Sequence, residues 1–111
     1  MKKEYEPILV KEYLPSVYDS MEFTLASGIS NYDVKANVTG AYENLLVYTT
    51  INIRTDQNIT IKLNSTSNRA VTVTSSRPFV LDNLMEITNI YISNASGSTA
   101  NIKIIAVRKG T

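Results

Sequence analysis

Residues 45–65 read LLVYTTINIRTDQNITIKLNS, and the period of this stretch decides the fold class. Val47, Thr49, Ile51 and Ile53 fall on one face of an extended chain, with Tyr48, Thr50, Asn52 and Arg54 on the other. Ile59, Ile61 and Leu63 repeat the pattern against Thr60, Lys62 and Asn64. A repeat of two is what a strand with one buried side requires, whereas a helix needs apolar residues three and four apart. β-Branched Val, Ile and Thr fill both runs, as a pleated, half-buried surface prefers. The five residues between them, Arg54 to Asn58, are polar throughout, and Asp and Asn bond readily to their own backbone. There is no Asn-Gly or Asp-Gly pair, so the stretch predicts a hairpin with a loop of about three to five residues.

The same alternation continues in both directions. Upstream, Met21, Phe23 and Leu25 share one face of a strand. Residues 27–31 read as a turn, and Tyr32, Val34, Ala36 and Val38 share one face of a further strand. Downstream, residues 70–74 predict a short strand with Val71 and Val73 inward, and residues 75–78 a turn. Residues 79–81 are a brief apolar run before a bend at Asp82-Asn83. Residues 84–93 read as one strand, but Ile87 is out of phase with Ile90 and Ile92, which predicts a bulge or bend near Asn89. After a turn at 94–98, Ile102, Ile104 and Ala106 alternate along a closing strand. Eight or nine short strands separated by turns predict an all-β, antiparallel β-sandwich, jelly-roll-like, of about eight strands. Strand count alone leaves an immunoglobulin-like topology equally open.

Residues 1–19 differ from the rest and read as an extended N-terminal arm or edge strand, with a single β-sandwich domain over 20–111. Pro7 and Pro15 break the segment into extended pieces around Ile8-Leu9-Val10. It is either a first strand with a frayed tail or an arm packed on a neighbouring subunit. In the second case Tyr5, Ile8, Leu9, Val10 and Tyr13 are the expected subunit or particle contacts.

Composition narrows the chemistry. With no cysteine there is no disulfide, thiol nucleophile or Cys-type zinc site. With no histidine, the usual general base, metal ligand and triad base are missing, which removes a metal-dependent cupin. A net charge of +1 with interspersed signs argues against nucleic-acid binding. No apolar run reaches the ~18 residues of a membrane span, and the N-terminal stretch lacks the apolar region of an export signal. The expectation is a protein that is not an enzyme, needs no cofactor, and contacts neither nucleic acid nor membrane.

Four further features bear on binding. Asp19, Glu22 and Asp33 would converge on a calcium ion if the first strands were neighbours, but their spacing matches no defined calcium loop, and a solvated face explains them better. The 7 tyrosines are either a sugar-stacking platform or ordinary strand residues. Asn37, Asn58, Asn64 and Asn94 each begin a glycosylation-type triplet, read here as turn and edge chemistry. The polar but uncharged Thr60, Asn64, Thr72, Thr74 and Asn101 suit either a solvated sheet face or packing against identical neighbours.

The stretch IRTDQNITIKLNSTSNRAVTV and the following PFVLDNLMEITNIYISNASGSTANIKI resemble small β-rich structural proteins of tailed-bacteriophage virions. The resemblance spans roughly residues 46–107 and rests on the cadence of two apparent hairpins. It implies a capsid decoration or accessory subunit that binds the particle surface and forms a homo-oligomer. Its partners would be other virion (capsid) proteins. It would reside in the virion after synthesis in the host cytoplasm. The alternative is a carbohydrate- or receptor-binding β-sandwich module.

Overall fold

A computed structural model describes residues 18–37 and 47–109. The elements are β1 (Tyr18–Leu25), β2 (Ile29–Asp33), α1 (Val34–Asn37), β3 (Tyr48–Thr55), β4 (Ile59–Leu63), β5 (Val71–Val73), β6 (Phe79–Ile87), β7 (Ile90–Asn94) and β8 (Ala100–Arg108). Two four-stranded sheets result, in the orders β1-β8-β3-β6 and β2-β7-β4-β5, with every pairing antiparallel. Consecutive strands change sheet at each step except from β4 to β5. This is the wiring of a jelly roll, and it settles the topology that strand count left open. Tyr18 and Asp19, read from the sequence as part of the arm, belong to β1. The proposed contact residues Tyr5, Ile8, Leu9, Val10 and Tyr13 lie outside the described residues.

The faces expected from sequence are largely those observed. Ile51 and Ile53 on β3 and Ile102, Ile104 and Ala106 on β8 point inward from the first sheet. Ile59, Ile61, Ile90, Ile92 and Val73 meet them from the second. Each such Ile or Val side chain contributes about 1.5–3 kcal/mol through removal from water. Val71, expected inward, stays exposed because β5 is a three-residue edge strand at the margin of its sheet.

The pairing differs from the sequence reading. β3 and β4 are not a hairpin: β3 bonds to β6 and β8, whereas β4 bonds to β5 and β7. Their polar connection is an arch between sheets. Likewise, residues 84–93 are not one strand, because the chain leaves the first sheet after Ile87 and enters the second at Ile90. The phase break between Ile87 and Ile90 marks that crossing. Residues 34–37 form a helical turn instead of a strand. The Asp33 side chain explains it, since its Oδ1 accepts the Ala36 amide at 3.1 Å and caps the turn.

A bulge at Thr49 resets one face. Tyr48 pairs with Arg108 and Thr50 with Val107, which leaves Thr49 as an extra residue. Tyr48, expected outward, is therefore buried. On the other flank, β6 pairs with Tyr48 through Ile87 and with Thr50 through Asp82, so residues 83–86 loop out of register. Such a bulge spoils the regular edge that another strand would need for pairing.

Asparagines fasten the corners. Asn64, at φ 70°, accepts the Thr88 amide at 2.7 Å with Oδ1 and donates to the Glu86 carbonyl at 3.0 Å. It thereby holds the β6–β7 crossing. Asn94 is fully buried, and its Nδ2 donates to the carbonyls of Leu25 at 2.8 Å and Ser98 at 2.9 Å. Its Oδ1 accepts from the amide and the hydroxyl of Ser96. Next to it, the Gly28 amide donates to the Asn94 carbonyl, and Gly28 and Gly97 both adopt the positive φ that these turns require. Replacing Asn94 by Ala removes its bonds to the Leu25 carbonyl and the Ser96 amide, and is expected to cost about 2–3 kcal/mol in urea denaturation. Thr72→Ala on the exposed edge is expected to change stability by less than about 0.5 kcal/mol.

Candidate functional site

The three carboxylates considered for calcium do not meet. Asp19 points inward from β1, Glu22 points outward and pairs with Lys103 at 3.4 Å, and Asp33 caps α1 beside the other sheet. Among the described residues no group of three or more His, Cys, Asp or Glu side chains could hold a metal ion. The described tyrosines do not form a platform either. Tyr18 lies on the outer side of the first sheet, Tyr48 is buried, Tyr32 stacks on Phe23 at 5.7 Å, and Tyr91 sits between Asp33 and Lys62 on the second sheet.

Asp19 instead belongs to a buried polar cluster at one end of the sandwich. Its carboxylate is 4% exposed and accepts the Tyr48 hydroxyl at 2.7 Å. Arg108 donates to it twice, from Nε at 3.1 Å and from Nη2 at 2.9 Å. The strand register brings these groups together. Asp19 pairs with Ala106 and continues the inward phase of Met21, whereas Arg108 continues that of Ile104 and Ala106. Burial opposes ionisation of Asp19 and is the largest single influence. Hydrogen bonds from Arg108 and Tyr48, with the charge of Arg108, together outweigh it and hold the carboxyl below its ordinary range. Both carboxylate oxygens are engaged, and the cluster ties β1 to β8 and β3. Sequence reading missed it because the partners are 89 residues apart. The available signal was a charge in the apolar phase near the end of each strand.

The remaining surface feature is the outer face of the β1-β8-β3-β6 sheet. Register places Ser20, Ile105, Asn52 and Val80 in one row across the four strands. The next row is Tyr18, Val107, Thr50 and Asp82, and on the other side lie Glu22, Lys103 and Arg54. Tyr18 is 61% exposed, and Ile105 and Val80 are also exposed. The looped part of β6 adds Leu84, 76% exposed, and Met85 beside a groove that also includes Val107. The second sheet has the opposite character. Its outer pairs are Thr60 with Ser93, Thr60 with Thr72, and Lys62 with Tyr91. A second groove, lined by Glu22, Phe23, Arg54, Asp56, Asn101 and Lys103, is shallow and open. Asn101 hydrogen bonds, from the backbone first and then the side chain, lower the pKa of Asp56 there.

No family model matches the chain, and no curated protein matches it. Among solved structures, a de novo designed double-stranded β-helix determined by solution NMR aligns with a TM-score of 0.52. The alignment covers 79% of this chain and 97% of the design at 12% identity, so the likeness is one of fold. It agrees with the strand order, since the alternation of successive strands between two sheets is what winds such a helix.

The Asp19 cluster carries a pH dependence whose sign follows from its lowered pKa. A carboxyl that is more acidic folded than unfolded contributes stability above its unfolded pKa and loses it as pH falls through the folded one. Asp19→Asn is therefore expected to cost about 3 kcal/mol near neutral pH by removing the buried carboxylate that Arg108 and Tyr48 both bind. The difference from the native protein is expected to shrink below about pH 4. The double change Asp19→Leu with Arg108→Met is expected to cost less than Asp19→Asn alone, as read by urea midpoints from pH 2 to 7.

Proposed function

We propose that this chain is a non-enzymatic structural subunit of a tailed-bacteriophage particle. In this reading it is a capsid decoration or accessory protein that associates with copies of itself and with other virion proteins. The observation that carries the reading is the contrast between the two outer faces. One is polar, and the other presents Tyr18, Val80, Leu84, Met85, Ile105 and Val107 together. Exposed apolar side chains gathered on one face of a small domain mark an interaction surface. The jelly roll is shared by viral capsid domains, lectins and cupins, so the fold supports the particle reading by analogy only. The absence of histidine from the sequence sets the cupin chemistry aside. The lectin alternative draws on the shallow groove at Arg54, Asp56 and Asn101, where polar groups sit beside the half-buried Phe23 ring.

Light scattering after size exclusion tests the reading on the full chain and on one lacking residues 1–15. A stable oligomer that loses mass on truncation is the expected result and would give the N-terminal segment its expected role. A monomer in both cases would remove self-association. Glycan-array binding by that monomer would then favour the lectin alternative.

A further inference from the structure

We infer that the outer face of the β1-β8-β3-β6 sheet docks a second copy of this chain face to face, about a twofold axis running across the strands through the Ser20–Ile105–Asn52–Val80 row. The inference rests on the self-association reading and names its surface.

The charge layout selects the axis. On this face Asp82 lies one row to one side of Ile105, while Lys103 and Arg54 lie one row to the other. Two such faces can be stacked about an in-plane twofold axis in two principal ways. An axis parallel to the strands sets β8 over the partner's β3 in unchanged rows, which places Lys103 opposite a second Arg54. That juxtaposition of like charges in a desolvated layer is unfavourable. An axis across the strands keeps each strand over its own copy and reverses the rows. Ile105 then meets its counterpart, as does Val80, and Arg54 faces the partner row that holds Thr50 and Asp82. Adjacent strands are about 4.8 Å apart and stacked sheets about 10 Å apart, so an Arg54 guanidinium reaches Asp82 of the second copy.

Both partners of that contact are available. Arg54 has no ion pair among the described residues, and Asp82 accepts only the Thr50 hydroxyl at 3.1 Å. Lys103 comes over Val107 and beside Tyr18, where its ammonium can lie against the exposed ring. Glu22 stays paired with Lys103 at 3.4 Å, so the arrangement leaves no acid facing an acid. The footprint is adequate. Four strands of about eight residues span roughly 500 Å² per copy, or about 1,000 Å² in all, which reaches the size of a specific though modest interface. Leu84 and Met85 stand above the sheet at its margin and add to that area.

The test is sedimentation equilibrium of the full-length protein at several concentrations. The native chain is compared with Ile105→Lys, Arg54→Asp, Asp82→Arg and the double exchange Arg54→Asp with Asp82→Arg. Far-ultraviolet circular dichroism verifies that each variant is folded, which is expected because all three positions face outward. Ile105→Lys should weaken association at least tenfold, each single charge reversal should weaken it, and the double exchange should restore it. A native monomer at all concentrations overturns both the self-association reading and this surface. A native oligomer indifferent to Ile105→Lys overturns this surface alone. Loss of association in Ile105→Lys without rescue by the double exchange overturns the proposed twofold arrangement.

Discussion

β8 is hydrogen-bonded along both edges, to β1 from Tyr18 to Leu25 and to β3 from Tyr48 to Thr55. Its inward residues alternate without a break through Ala100, Ile102, Ile104 and Ala106. Everything else in the first sheet depends on this strand. Among the described residues β1 has no other partner, and β3 reaches β1 only through it. Because β8 is the last of the described strands and lies between β1 and β3, the sheet closes only when a later segment inserts between two earlier ones. Most of the fold's contacts are consequently non-local, which is the slow-folding end of the range of small domains.

A jelly roll repeatedly carries its chain from one sheet to the other, and each crossing exposes backbone groups that no ladder satisfies. Side chains here take over that task. Asn94 closes the end where β1 turns into β2 and β7 into β8, and Asn64 closes the crossing from β6 to β7. At the other end of β8, Arg108, Asp19 and Tyr48 tie three strands together through side-chain contacts alone. Three of the described asparagines, Asn31, Asn64 and Asn83, adopt positive φ, a conformation that Asn tolerates better than most residues. The abundance of Asn in the sequence is thus put to use in corner geometry, and two of its glycosylation-type triplets begin at side chains already engaged there.

The two outer faces separate scaffold from surface. The β2-β7-β4-β5 face carries Thr60, Thr72, Ser93, Lys62 and Tyr91. The β1-β8-β3-β6 face carries aliphatic residues at the centre and charges of opposite sign on either side. That asymmetry is invisible in overall composition, where a net charge of +1 describes both faces together. The strand register resolves it by setting Ile105 between Ser20 and Asn52, and Val80 next to Asn52.

What the residues determined by themselves was the strand, its buried side and most of its limits. Ile51, Ile53, Ile59, Ile61, Ile102 and Ile104 were legible as core because an extended chain has a period of two and water drives the apolar phase inward. The exceptions have local causes: the Thr49 bulge turned Tyr48 inward, and the Asp33 cap bent residues 34–37 into a helical turn. Which sheet each strand joined was decided only by the tertiary structure. Alternation is identical for a hairpin partner and for a strand facing it across the core, so β3 and β4 read as paired although they lie in opposite sheets. The same holds for Asp19 and Arg108, and for the apolar face. Each of these is a juxtaposition of strands far apart in sequence, made by a register that hydrogen-bonded pairing sets and that no single segment contains.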